Sequence, residues 1–220
     1  VITTNNDGVI FQAEESFGYY FDINNGFVVF TLSQDGGNCI GNTDVRNGDS
    51  HNITVTYNEG QTHLYVDGVL ERICDLGELV SQDNISPITI GSYRPDNHNY
   101  QFDGFIDELI IWASALDSTE IQSYISVPPV ANEEGLVTYW KFNAGEGDTL
   151  YDHSGNGNHG TIHGATWIAD GTKYVAEAGS DEIGNGSVES PFGSIQYAID
   201  MASNGDSVFV LAGTYYENIN

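Results

Sequence analysis

Short alternating runs of apolar and polar residues, each closed by a Gly-containing turn, constrain residues 1–112 more than any other feature. Residues 17–23 alternate, Asn24-Asn25-Gly26 turns, and Phe27-Val-Val-Phe-Thr-Leu32 returns. Asn and Gly accept the positive φ that a two-residue hairpin turn requires. His51-Asn-Ile-Thr-Val-Thr-Tyr57 puts Ile53, Val55 and Tyr57 on one face. Asn58-Glu59-Gly60 and Asp67-Gly68 are further turns, separating residues 61–66 from the strands on either side. Residues 69–74, 88–91 and 105–112 are also strand-like. Strands at this spacing predict an antiparallel sandwich or barrel. One short helix is expected over 118–125, capped by Asp117 or Ser118, with Ile121, Tyr124 and Ile125 on one face.

Pro128-Pro129 ends that helix, and 128–134 reads as a linker. Gly135-Leu-Val-Thr-Tyr-Trp-Lys-Phe142 opens a second segment, followed by a Gly- and His-rich stretch over 152–160. Trp112, Trp140 and Trp167 follow strand-like runs and are expected in the core. From Lys173 the character changes again. A short strand at Tyr174-Val175 precedes a Gly/Ser/Asp/Glu loop over 179–191. An amphipathic helix is expected over 192–202, with Ile195, Ala198, Ile199 and Ala202 on one side. A strand is expected over 207–211.

The charge balance removes whole classes of function. There are 32 acidic and 5 basic residues, a formal net charge of −27. Such a chain has no basic patch to neutralise phosphates, so a nucleic-acid partner and an anionic membrane surface are both excluded. No apolar run is long enough for a helical membrane span. Val1-Ile2-Thr3-Thr4 has neither a basic region nor an apolar core, so no signal peptide is expected there. The aromatic content (13 Tyr, 10 Phe) is core-forming material and argues against disorder. Cys39 and Cys74 show no zinc-type spacing; a disulfide is preferred over two free thiols and implies an oxidising, extracytoplasmic setting. Three Asn-x-Ser/Thr sequons, at Asn52, Asn84 and Asn185, are read as chance matches in an Asn-rich chain.

Several motifs together carry a family resemblance. They are residues 51–57, Leu64-Tyr-Val-Asp-Gly-Val69, Ile88-Thr-Ile-Gly91 and Phe102-Asp-Gly-Phe-Ile-Asp-Glu-Leu-Ile-Ile-Trp112, with Ala115-Leu116 and the Glu120-Ile121 helix. Residues 1–127 thereby resemble the later two-thirds of a laminin-G-like, concanavalin A-like jelly roll. The family's opening strand is missing before Val1 and occurs instead at 135–142. Residues 135–167 therefore resemble the opening of a second such unit, or a segment completing the first in a permuted way. Residues 173–220 resemble the cap and first coil of a pectate-lyase-like right-handed parallel β-helix, through Gly179-Ser-Asp, Ser190-Pro-Phe, Gly205-Asp-Ser-Val and Gly213-Thr-Tyr-Tyr-Glu-Asn. The expected fold is mainly β, an antiparallel jelly-roll sandwich followed by the start of a parallel β-helix. The resemblances imply a fragment of a larger secreted, multi-domain protein.

Candidate chemistry follows from particular residues. Exposed aromatics stack on sugar rings while polar groups hold the hydroxyls. The loop around Tyr93, Arg94, Asp96, His98, Asn99 and Tyr100 combines both, and is the candidate ligand site; an ordinary solvent loop is the plain alternative. Asp107 and Glu108 on a continuous strand would point to opposite faces and could not serve one water, so a paired-carboxylate glycosidase is disfavoured. The resemblance implies a structural calcium ion, with Asp103, Asp107, Asp152 and Asn158 as candidate ligands. The alternatives are that Asp107 satisfies nearby backbone amides and that the 152–163 stretch is only a turn. His159 and His163 would converge on a helix, which the glycines of this stretch disfavour, so a transition-metal site is not expected. There is no Gly-Lys-Ser/Thr loop and no Gly-x-Ser-x-Gly elbow. The leading expectation is a non-catalytic, extracellular carbohydrate-binding or adhesion module, monomeric as a fragment, with a polysaccharide or glycoconjugate as partner. The alternatives are the targeting part of a polysaccharide lyase or hydrolase, and a structural adhesin spacer.

Overall fold

The structure is a computed structural model that describes residues 1–13, 18–32, 37–78, 87–92, 100–167, 171–188, 190–202 and 207–219. The chain forms two compact units, Val1–Phe142 with Thr149–Ile162, and Asn143–Asp148 with His163–Asn220.

The first unit is mainly β. In chain order its elements are β1 (Ile2–Thr4), β2 (Gly8–Ala13), β3 (Tyr19–Asn24), β4 (Phe27–Leu32), β5 (Gly37–Asp44), β6 (Ser50–His51), β7 (Ile53–Asn58), β8 (Gln61–Val66), β9 (Val69–Asp75) and β10 (Thr89–Ile90). There follow β11 (Gly104–Ile106), β12 (Leu109–Trp112), α1 (Ser118–Ser126), β13 (Leu136–Trp140), β14 (Thr149–Leu150) and β15 (Gly160–Thr161). All the strand pairs in this unit are antiparallel. The largest sheet has the order β10-β2-β3-β4-β5, and a second has the order β7-β8-β9.

Three hairpins have the turns the sequence requires. Asn25-Gly26, Glu59-Gly60 and Asp67-Gly68 each hold two successive positive φ values, the type I′ geometry whose twist suits paired strands. The inner faces of the two sheets meet in one core of Ile10, Phe11, Ile23, Val28, Phe30, Leu32, Leu64 and Val66, against which Ile53, Val55 and Tyr57 pack as expected. Burying each such large side chain contributes about 1.5–3 kcal/mol. Cys39 of β5 and Cys74 of β9 form a disulfide that ties the two sheets together along one side.

The expected strand over 105–112 is in fact two. Phe105 and Ile106 pair with β1, whereas Leu109 to Trp112 pair with β13. The break lies at Asp107-Glu108, where Glu108 takes φ +49 and its N–H is accepted by the Asp107 side chain. The chain changes sheets there. Helix α1 is capped by Asp117, which accepts from the Thr119 and Glu120 amides while Glu120 reaches back to the Asp117 N–H. Ile121 is its one buried residue; Ile125, expected on the same face, is exposed. Trp140 is buried as expected. Trp112 is only partly buried, against Tyr124.

The second unit contains β16 (Thr172–Val175), α2 (Ile195–Met201) and β17 (Ser207–Val210), with β16 and β17 parallel. Val175, Phe192 and Ala198 form its small core. The helix begins at Ile195 because Ser194 caps it, its hydroxyl accepting the Tyr197 amide, while Glu217 takes the amides of Ile195 and Gln196. The loop acid Asp181 holds that cap in place, accepting the Gly193 and Ser194 amides and the Ser194 hydroxyl. Ile199, expected on the buried side of the helix, is exposed. Trp167, expected in a core, is partly exposed and donates to Gly147 O at 2.8 Å.

Candidate functional site

The five-stranded sheet has two faces, and register assigns side chains to each, because directly opposed residues share a face. Phe11, Phe21, Phe30 and Cys39 lie in one cross-strand row and face the core. The adjacent rows face away from it: Gln12, Tyr20, Thr31 and Asn38 in one, Val9, Asp22, Val29 and Ile40 in the other. Val9, Gln12, Val29 and Thr31 are nevertheless buried. Thr31 Oγ1 donates to Asn38 Oδ1 at 2.9 Å, which confirms the shared face of that row.

Two oxygens on this face are buried without a hydrogen-bond partner, Gln12 Oε1 and Asp22 Oδ1. Leaving a buried acceptor unmet costs about 1–3 kcal/mol. Burial, and secondarily the negative charge of Asp7, push the Asp22 carboxyl up to about 6. Asp7 itself is committed to structure: its oxygens accept the Asn25 and Gly26 amides at 2.8 and 3.0 Å and pair with Arg46. Asp22 and Gln12 thus each hold a buried acceptor oxygen on this face that lacks a donor.

Of the loop residues expected to bind ligand, Tyr93, Arg94, Asp96, His98 and Asn99 lie outside the described residues. Tyr100 is 60% exposed. Its neighbour Gln101 bridges to Val9, the residue opposite Asp22, so the C-terminal end of this loop runs along the β2 edge of the same sheet. Gly8 permits that approach, because a Cβ there would stand 2.6 Å from Gln101 O.

The expected calcium ligands do not come together. Asp103 and Asp107 are exposed on either side of β11, and Asp103 accepts from Asn6 Nδ2. Asp152 and Asn158 are neighbours, but as a hydrogen-bonded turn. Asp152 accepts from the Thr138 hydroxyl, from the amides of Tyr139, Ser154 and Asn158, and from the Ser154 hydroxyl. Burial works against its charge, yet these donors outweigh it and hold the carboxyl well below the usual carboxylate range. A carboxylate whose lone pairs are all taken by N–H and O–H donors does not fit a cation. Among the described residues, no three His, Cys, Asp or Glu side chains gather as a metal site.

A cleft of about 410 Å³ also opens in the first unit, beside β7 and β12. Its lining includes Phe11, Phe21, Phe30, Val55, Leu109 and Ile111, the inner-face residues of the sheets. Asp107, Glu108, Tyr57 and Tyr124 line it as well.

Sequence reasoning did not single out Gln12, Tyr20 or Asp22. The available signal was one acid set between Phe21 and Ile23 of an aromatic strand, on the alternation that points outward.

Comparisons with known proteins agree with this architecture. Residues 2–122 match the family described as the concanavalin A-like lectin/glucanases superfamily. A solved structure of a proposed carbohydrate-binding protein from Bacteroides ovatus superposes with a TM-score of 0.61 at 18% identity, over 75% of this chain and 53% of that protein. This chain thus spans about half of that protein's length. An S-layer domain-containing protein from Clostridium thermocellum (residues 221–444) matches at a TM-score of 0.29 and 18% identity, over 55% of this chain and 63% of that one, too low to bear on the fold. No curated protein matches the sequence. With more than half of its residues matched to the family and the antiparallel sheets in place, the chain belongs to the concanavalin A-like lectin/glucanase superfamily.

Proposed function

We propose that the chain is a non-catalytic carbohydrate-binding module of a larger secreted or cell-surface protein. The observation that carries this reading is the outward face of the five-stranded sheet. There, Gln12 and Asp22 hold buried acceptors without partners beside Tyr20, with exposed Tyr100 along the neighbouring edge. Sugars supply hydroxyl donors for such acceptors and apolar ring faces for the aromatics. The fold family and the carbohydrate-binding role proposed for the Bacteroides ovatus protein support it. The non-catalytic part rests on Asp22 standing alone, since hydrolysis needs two converging carboxyl groups and Asp7 is tied to a turn and to Arg46. The disulfide supports an oxidising location, and no helix among the described residues is long and apolar enough to cross a membrane.

The same reading takes 135–162 as the segment that completes the sandwich, supported by the β12–β13 pairing. It takes 173–220 as the entrance to a parallel β-helix, supported by the parallel β16–β17 pair joined through α2. The test is a glycan and polysaccharide array with the purified chain, run with calcium and with EDTA because the family resemblance raises a structural calcium ion. Binding that is lost in Tyr20→Ala and Tyr100→Ala supports the module. A blank array in both buffers overturns it in favour of a structural spacer.

A further inference from the structure

We infer that the outward face around Asp22 selects neutral, hydroxyl-rich glycans and rejects uronate and sulfated ones. This rests on the carbohydrate-binding reading above and narrows it to a ligand class.

Donor and acceptor identity decides which ligand class fits. Both unpartnered buried side-chain atoms on this face, Gln12 Oε1 and Asp22 Oδ1, are acceptors. A sugar hydroxyl donates to either, and donation to a carboxylate is a short, charge-assisted bond. A uronate carboxylate or a sulfate is acceptor-only, so it can satisfy neither oxygen and places its charge against Asp22.

The cations that would offset that repulsion are held by other partners among the described residues of the first unit. Arg46 is held by Asp7 and Asp44. Arg72 donates to the Ile40 carbonyl at the β5 edge. Lys141 sits over the Tyr139 ring on β13. The excess of 32 acids over 5 bases repels polyanions at longer range as well. The two effects differ in reach. The global field is screened within about 3 Å at 1 M salt, whereas the mismatch at Asp22 acts by contact.

The experiment compares dextran, mannan and galactan with polygalacturonate and alginate, titrated into the purified chain by calorimetry at 0.1 M and at 1 M NaCl. A neutral polymer is expected to bind at least tenfold more tightly than either uronate polymer, with that preference persisting at 1 M NaCl. Asp22→Asn is expected to weaken the neutral polymer at least tenfold and to narrow the preference. Uronate binding equal to or tighter than neutral binding at 0.1 M overturns the inference and leaves the carbohydrate-binding reading intact. A preference that vanishes at 1 M also overturns it, because the net charge alone then discriminates; this arm uses only the unmodified chain. Undiminished neutral binding by Asp22→Asn overturns it likewise. Failure of every polymer to bind removes the carbohydrate-binding reading itself.

Discussion

Asp152 Oδ1 accepts the backbone N–H of Tyr139 at 2.9 Å, so one carboxylate fixes the turn after β14 against the middle of β13. The same carboxylate takes the amides of Ser154 and Asn158, and Trp140 Nε1 donates to the Asn158 carbonyl. Asp152→Asn replaces an acceptor by a donor and leaves buried N–H groups unmet. The expected cost is about 2–4 kcal/mol, read as a lower urea midpoint at pH 7. Because hydrogen bonding lowers the folded-state pKa, this stabilisation is complete above the unfolded value near 3.9 and fades as pH falls below it. The gap between wild type and variant should therefore narrow below pH 4. Equal midpoints at neutral pH would show that the turn holds without the carboxylate.

Asp22 has the opposite sign. Its folded-state pKa is raised to about 6, so ionisation opposes folding above that value and the penalty disappears as pH falls towards 4. Asp22→Asn should raise stability by about 1–2 kcal/mol at pH 7.5, allowing for the solvent that still reaches the group, and change it little at pH 4. Thermal melts of both proteins at the two pH values test this. A destabilised variant at pH 7.5 would mean that the carboxylate has a structural partner.

The disulfide joins residues 35 positions apart. Restricting the unfolded chain over a loop of this length stabilises by about 3–4 kcal/mol. The double variant Cys39→Ala/Cys74→Ala should lose about that much, and reduction of the wild type should give the same melting shift. An unchanged melt after verified reduction would locate the sandwich's stability elsewhere.

Strand β13 supplies the last edge of β12 and carries Thr138, Tyr139 and Trp140, all buried. Its bonded amides should exchange with solvent as slowly as those of β4 at the centre of the large sheet. Ending the chain at residue 134 should expose the β12 edge and lower the melting temperature of the first unit. Fast exchange across 136–140 would mean that β12 and β13 part readily.

Most of the sandwich was legible because its information is local. The three turns Asn25-Gly26, Glu59-Gly60 and Asp67-Gly68 set the hairpins, and residues 27–32 and 61–66 became strands with the expected bounds. Asp117 announced a helix start for the same reason. Strand β2 was less visible: Gly-Val-Ile-Phe-Gln-Ala is buried on both sides and does not alternate. The break at Asp107-Glu108 was invisible, since it reflects two distant partners, β1 and β13, competing for consecutive residues. The same limit applies to the site. Gln12 and Asp22 share a face only through β2–β3 register, and their lack of partners is a property of packing. At Asp152 the glycines made a turn legible, but not the five donors that one carboxylate gathers there, because those come from β13 as well as from the turn itself.

Strand β1 pairs with β11, and Ile2 lies opposite Ile106. During synthesis at about 5–20 residues per second, a strand waiting for a partner roughly a hundred residues downstream waits on the order of 5–20 s. The large sheet's hairpins form within microseconds of emerging. Strand β1 also pairs with β6, with Ile2 opposite His51, so one of its edges can be seated well before its second neighbour exists. Until residue 106 has emerged, the other edge of β1 stays open, and an open strand edge is a place where a growing chain can pair wrongly.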